Sequence, residues 1–259
     1  MKANINGIQM AYEVRGQQTP PVVLLHGFGL DRSIWRELAA EYLGDQQVIL
    51  PDLRGHGESD APSGAYEMPL LAHDVAGLLG HLGVAQVILC GHSMGGYVAL
   101  AFAEHFPEML AGLGLITTNA QADSVQKRAG RYALIEDVRT RGSIAVAENL
   151  APRLSRDLEV VRKAYDLIGQ SDPAGLIGSL RGMAEREDKT SLLGQIGLPA
   201  LVIAGEDDQI TNFEESKAMA DNLPGGEFSG LLGVGHMPML EDPEALGVGL
   251  RGLIERINQ

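Results

Sequence analysis

Cysteine is almost missing from this chain: Cys90 is the only one in 259 residues. An intramolecular disulfide framework is therefore excluded, and a reducing compartment fits. Long apolar runs are missing too. No stretch of eighteen or more consecutive apolar residues offers a membrane-spanning helix, and the opening Met1-Lys2-Ala3-Asn4-Ile5-Asn6-Gly7 lacks the apolar core of a signal peptide. The expectation is a soluble, cytoplasmic protein. Basic residues are in deficit, 20 Lys and Arg against 34 Asp and Glu, for a formal net charge of −14. Phosphate backbones and anionic membrane surfaces are on average repelled by such a chain, so neither nucleic acid nor membrane is expected as a partner. No GxGxxG follows a strand pattern, and the seven histidines include no HxxxH or HExxH spacing; no nucleotide cofactor and no metal are expected. Internal repeats and low-complexity tracts are also absent.

What remains is ordinary globular material, 45% apolar and 21% charged, enough for one large α/β domain. Short apolar runs bounded by Gly, Pro and Asp alternate with longer helical patterns, the signature of strand–helix units in a mostly parallel sheet covered on both faces. Strands are predicted at 22–25, 48–50, 87–89, 113–116 and 201–204. Ahead of them, 3–5 and 8–14 straddle Asn6-Gly7, a dipeptide suited to a tight hairpin, and give the sheet an antiparallel edge. Helical periodicity covers 34–43, 70–82, 94–106, 214–223 and 243–257. Between residues 118 and 193 the alternation stops. Short helices separated at Gly142, Pro152, Gly169, Pro173, Gly178 and Gly182 are expected there, an inserted helical cap on a core made of 1–117 and 194–259. Cys90, in the run Val87-Ile88-Leu89-Cys90, reads as a small buried strand residue without a chemical role.

The strand ending at Cys90 runs directly into Gly91-His92-Ser93-Met94-Gly95-Gly96 and then a helix. This is GxSxG in the strand–turn–helix setting that thrusts a serine hydroxyl out at a helix N-terminus, with glycines where the sharp turn leaves no room for side chains. Ser93 is the candidate nucleophile. A serine needs a general base, itself oriented by a carboxylate. His236, in Gly233-Val234-Gly235-His236-Met237-Pro238 after a strand predicted at 227–231, is the candidate base. The acid is expected in Gly205-Glu206-Asp207-Asp208, and spacing does not separate the three carboxylates. Acyl transfer also calls for two backbone N–H donors to hold an oxyanion. Met94 follows the nucleophile, and Phe28, in His26-Gly27-Phe28-Gly29, supplies the second. A further stretch, Asp52-Leu53-Arg54-Gly55-His56-Gly57-Glu58-Ser59, reads as a structural loop held by Asp52 and Arg54.

With these residues in hand, the chain resembles the α/β-hydrolase superfamily over nearly its whole length. The resemblance rests on His26-Gly27-Phe28-Gly29, Arg54-Gly55-His56-Gly57-Glu58-Ser59, Gly91-His92-Ser93-Met94-Gly95-Gly96, Gly205-Glu206-Asp207-Asp208 and Gly235-His236. It implies an eight-stranded, mostly parallel sheet with a small helical cap, and it places the acid at Asp208, three residues after the glycine that ends its strand, with Asp207 in reserve. The elbow looks like that of small carboxylesterases and monoacylglycerol lipases, and the short cap like that of enol-lactonases such as that for 3-oxoadipate. The expected activity is hydrolysis of a small-molecule carboxylic ester by Ser93, His236 and Asp208. Enol-lactone or C–C bond hydrolysis, perhydrolase or haloperoxidase-type activity, and a small-ligand receptor on the same fold are the alternatives. Haloalkane dehalogenases and epoxide hydrolases are disfavoured, since they carry aspartate where this chain has Ser93. The cap's Leu, Ile, Ala, Val and Met content suggests an apolar acyl site. Its Arg131, Arg139, Arg141, Arg153 and Arg181 offer a partner for a substrate carboxylate.

Overall fold

The structure, a computed structural model, describes residues 1–259. Eight strands form one sheet: β1 (Lys2–Ile5), β2 (Ile8–Arg15), β3 (Gln18–Leu25), β4 (Gln46–Pro51), β5 (Val87–His92), β6 (Leu110–Ile116), β7 (Ala200–Gly205) and β8 (Gly226–Leu231). Their order across the sheet is β1-β2-β4-β3-β5-β6-β7-β8. The β1–β2 and β2–β4 pairings are antiparallel. From β4 through β3, β5, β6 and β7 to β8 every pairing is parallel. The strands at the middle are buried along their length, β5 and β7 at every residue, as parallel strands covered on both faces must be. Only the edge strand β8 is largely half-exposed or exposed.

Around the sheet lie α1 (Arg36–Glu41), α2 (Met68–Leu82), α3 (Met94–His105), α9 (Phe213–Asp221), α10 (Pro238–Glu241) and α11 (Pro243–Ile257). The helix predicted over 34–43 divides: a 3₁₀ turn at Arg32–Trp35, capped by the Asp31 side chain, precedes α1. Between β6 and β7 stand α4 (Val125–Arg141), α5 (Ile144–Leu154), α6 (Leu158–Gly169), α7 (Pro173–Ala184) and α8 (Thr190–Leu193). Ser124, Asp157 and Asp172 accept hydrogen bonds from the first free amides of α4, α6 and α7, which fixes where each begins.

Three of the expected breaks in this insertion fall inside helices. Pro152 lies within α5, in its last turn, and Gly178 and Gly182 lie within α7. The two glycines are there for contact: a Cβ at Gly178 would stand 2.8 Å from the Tyr66 ring, and one at Gly182 would stand 1.7 Å from the Tyr66 carbonyl oxygen. One turn earlier, a Cβ at Gly175 would lie 1.8 Å from the carbonyl oxygen of Gly55. Tyr66 N–H donates to the Gly178 carbonyl at 2.9 Å. The glycine face of α7 therefore lets the insertion press onto the loops after β4 backbone to backbone.

Those loops are held as the sequence suggests. Asp52, fully buried, accepts the amides of Arg32 and Glu58 at 2.8 Å each and the Arg32 guanidinium. Arg54 pairs with buried Asp74 at 2.7 and 2.8 Å. Cys90 is buried, and desolvation pushes its thiol up to about 12, so it is inert. No helix is long and apolar enough to cross a membrane.

Candidate active site

Ser93 is the residue between β5 and α3, and its backbone sits at φ 52°, ψ −113°, a conformation a non-glycine residue holds only where its surroundings enforce it. The enforcement is visible. Ser93 N–H donates to the Ile116 carbonyl at 2.9 Å, its own carbonyl accepts from Gly96 N–H at 2.9 Å, and Thr118 Oγ1 donates to that carbonyl at 2.8 Å. A Cβ at Gly91 would lie 2.1 Å from the Gly95 carbonyl oxygen, and one at Gly95 would lie 2.6 Å from the Leu25 carbonyl oxygen. Only glycine permits this turn, and the turn puts Ser93 at the positive end of the α3 dipole.

His236 comes from the loop after β8 and is 1% exposed. Its Nδ1–H donates to Asp208 Oδ2 at 2.7 Å, both side chains being buried. That bond sets the tautomer and leaves Nε2 with a free lone pair. Asp208 is fixed in turn by the Ile210 and Thr211 amides, at 2.7 and 3.1 Å on Oδ1, and by the Thr211 hydroxyl on Oδ2. Burial alone would raise its pKa. The electrostatic pull of the His236 ring and the hydrogen bonds from His236, Thr211 and the Ile210 amide outweigh burial and hold the carboxyl below its ordinary value. Asp207 instead takes Arg156 at 2.8 Å, and Glu206 is exposed. Of the three carboxylates, Asp208 is the one the structure joins to His236.

Two contacts bring the histidine to the serine turn. His92, the residue before Ser93, donates from Nε2 to the His236 carbonyl at 2.9 Å, and its ring centroid lies 5.0 Å from that of His236. Thr117 Oγ1 donates to the same carbonyl at 3.1 Å. No hydrogen bond links the Ser93 hydroxyl to His236, a separation common in unliganded sites that tighten around a substrate.

The loop after β3 closes on the same point. A Cβ at Gly27 would stand 3.3 Å from Ser93 Cβ, so Phe28 follows directly on the serine's neighbour. As the first residue of α3, Met94 has an N–H without an intrahelical acceptor. His26 and His56 lie behind, their ring centroids 5.0 Å apart. His26 accepts from the Leu53 amide at 2.9 Å through Nε2, and its Nδ1 donates to the Gly27 carbonyl at 2.8 Å. Their role is to shape loops.

Next to these residues is a cavity of ≈430 Å³, with Phe28 and Ile210 on the core side and Leu134, Leu150, Arg153 and Leu180 from the insertion. Its wall also carries Asn119, Asp123, Lys127, Arg131, Asp137 and Asn149, so it is more polar than the apolar acyl site expected from composition. Of the five arginines in the expectation, Arg131 pairs with Asp123, Arg139 with Glu136 and Arg141 with Glu148. Arg153 lines the cavity with no ion pair.

Sequence reasoning did not single out Thr117, Thr118, Thr211 or His92 as supports, nor Glu241. The carboxylate of Glu241 accepts the amides on both sides of His236: Gly235 N–H at 2.9 Å and Met237 N–H at 2.8 Å. A signal for it exists in His236-Met237-Pro238-Met239-Leu240-Glu241, a proline opening a helical turn with a glutamate placed to reach back.

An eight-stranded mostly parallel sheet, a strained serine between its central strand and a helix, and a buried Asp–His pair against that turn define a class. The sequence profile described as alpha/beta hydrolase fold matches residues 20–243, and the chain belongs to that family. Among curated relatives, 3-oxoadipate enol-lactonase 2 of Acinetobacter baylyi is 28% identical over 258 residues, 97% of this chain and 95% of its own. Among solved structures, a thermophilic esterase from Thermogutta terrifontis, malate bound, superposes with a TM-score of 0.95 at 38% identity, covering 100% of this chain and 99% of that one. The enol-lactonase from Burkholderia xenovorans LB400 gives 0.91 at 27% identity, over 98% and 100%. These likenesses support a hydrolase.

Proposed function

We propose that this chain is a serine hydrolase that cleaves small carboxylic esters through an acyl-enzyme. The observation that carries the reading is the buried Asp208–His236 hydrogen bond, at 2.7 Å, held by His92 and Thr117 against the turn that strains Ser93. His236 Nε2 takes the proton of Ser93 Oγ as Ser93 attacks the ester carbonyl, and Asp208 stabilises the imidazolium. The amides of Phe28 and Met94 receive the oxyanion. The imidazolium returns its proton to the departing alcohol, and water activated by the same nitrogen releases the acid. No cofactor enters these steps. The insertion over 118–193 is the cap that walls the substrate cavity.

A second reading, a substrate that carries its own carboxylate, as an acid-bearing ester or lactone does, is favoured by one observation: Arg153 faces the cavity without an ionic partner. The experiment for both is hydrolysis of p-nitrophenyl esters from acetate to long acyl chains, together with one half-ester bearing a free carboxylate, by wild type and Ser93→Ala. Expected are sustained turnover by the wild type, at roughly 1–1,000 per second for a good substrate, and its near-complete loss in the variant. A variant rate within about tenfold of wild type contradicts the mechanism. Preference for the half-ester over a neutral ester of equal length selects the second reading.

A further inference from the structure

We infer that Glu241 is a positioning residue for His236 and couples it to the helical insertion; this rests on His236 being the base in the reading above. Residues 234–237, which carry His236, are buried yet lie in neither strand nor helix, so their backbone amides must find partners elsewhere. A base that must keep Nε2 within hydrogen-bond reach of a serine needs its backbone held from outside the loop. Glu241 does this from the end of α10. Oε1 accepts Met237 N–H at 2.8 Å and Oε2 accepts Gly235 N–H at 2.9 Å, so the peptide groups flanking His236 are tied to one carboxylate.

The remaining amide, that of His236 itself, donates at 2.8 Å to the carbonyl of Leu154, the last residue of α5. Ser155, next in the insertion, donates its hydroxyl to Glu241 Oε2 at 2.8 Å. Arg156 follows with its ion pair to Asp207, adjacent to Asp208. Three consecutive residues of the insertion thus engage the backbone of the base, the carboxylate that clamps it, and the neighbour of the acid. On the opposite side, His92 and Thr117 hold the His236 carbonyl. All amides from 235 to 237 are committed, and two of the three go to Glu241.

A helix-capping role alone would need only the Met237 bond. The Gly235 and Ser155 bonds lie outside the helix, and they make the seating of the insertion and the placement of the imidazole one arrangement.

The test compares wild type, Glu241→Gln and Ser155→Ala in three measurements: steady-state ester hydrolysis, melting temperature, and the single-turnover rate at which paraoxon phosphorylates Ser93 with release of p-nitrophenol. Glutamine keeps the shape but offers one acceptor oxygen and turns an NH₂ toward N–H donors. Expected for Glu241→Gln is a fall of about 10- to 100-fold in both kcat and the phosphorylation rate, the scale of a small misplacement of a catalytic group, with KM and melting temperature little changed. Ser155→Ala, which removes the hydroxyl's bond to Glu241 and the one it accepts from the Asp157 amide but keeps the Leu154 and Arg156 links, should give a smaller fall in the same two rates. Rates within twofold of wild type for Glu241→Gln overturn the inference. If that variant melts out, Ser155→Ala decides it by the same criterion. Wild type that is phosphorylated at Ser93 yet hydrolyses no ester would sink the esterase reading while the phosphorylation rates still judge Glu241; wild type inert to both overturns the two together.

Discussion

Asp208 shows what a single residue contributes to this site. Its carboxylate is buried, accepts from His236, two amides and the Thr211 hydroxyl, and stays ionised because those donors outweigh the cost of burial. Asparagine at this position keeps the volume and loses the charge. Its amide oxygen can serve the Ile210 and Thr211 donors only by turning its NH₂ toward His236, which would move the imidazole proton to Nε2 and leave Ser93 without a base. Asp208→Asn should therefore lower kcat/KM by about 10³–10⁴-fold, with the far-ultraviolet circular dichroism unchanged; a loss under tenfold would mean that the imidazole is oriented without the carboxylate. Ser93 and its glycines were legible in the sequence because part of the constraint is local, a Cβ at Gly91 meeting the Gly95 carbonyl oxygen, and His236 because it stands in a glycine-rich loop after a strand pattern. Spacing alone left the acid among three carboxylates and the resemblance placed it at Asp208; in the structure Ile210 and Thr211 orient Asp208, while Asp207 pairs with Arg156, 51 residues away. Glu241 carries a local mark only in the proline-opened turn before it, and its partner Ser155 lies 86 residues back in the chain, where no local pattern points to it.

Elements of the core follow from local pattern, and those of the insertion do not, for a physical reason that α7 makes plain. A central parallel strand such as β5 is buried on both faces, so its apolar run is a direct record of its surroundings. Glycine within a helix is ambiguous. It reads as a breaker because it lacks helix propensity, yet Gly175, Gly178 and Gly182 recur at helical spacing on the face that meets Gly55 and Tyr66. The constraint belongs to the other partner, more than a hundred residues away, and leaves no mark in the insertion itself. The consequence is a reversal of sign. Gly80, in α2, has open space where a Cβ would go, and Gly80→Ala should stabilise the protein by about 0.4–1 kcal/mol by restricting the unfolded chain. Gly182→Ala places a methyl 1.7 Å from the Tyr66 carbonyl oxygen, backbone that cannot yield by a side-chain rotation, and should cost about 1–3 kcal/mol as the insertion is pushed off the core. Urea unfolding of both variants checks this, and equal stabilisation by the two would mean that α7 does not press on Tyr66.

At the scale of the whole molecule, the same close packing determines how the protein meets acid. His26, His56 and His92 are fully buried, and desolvation is the first cause that lowers them, to about 4, about 3 and about 3; proximity to another imidazole adds to it for His56 and His92. In the unfolded chain each protonates near 6.5. The stability they carry is complete above that value. As pH falls below 6.5 the unfolded state takes up protons that the native state refuses, and stability is lost until the native imidazoles titrate near pH 4 to 3. Each proton is worth about 1.4 kcal/mol per pH unit, so three together approach about 4 kcal/mol per unit near pH 5, a large share of the roughly 5–15 kcal/mol that holds a domain folded. Below about pH 4.5, Glu13, drawn down to about 2 by its hydrogen bond to Arg36, and Asp208 act in the same direction, whereas Asp52, raised by burial, opposes them. Neutralising carboxylates on a chain of net charge −14 also relieves self-repulsion, but at 0.15 M salt, where the Debye length is about 8 Å, that term is largely screened. Urea midpoints measured from pH 8 to pH 4 in 0.15 M salt should be level above about pH 7 and fall steeply between 6.5 and 4. His56→Asn, which removes one of the three refused protons, should reduce that slope by about a third. A level profile down to pH 4 in the wild type would mean that the native protein protonates these imidazoles, and that the packing behind the serine turn admits the water needed to do so.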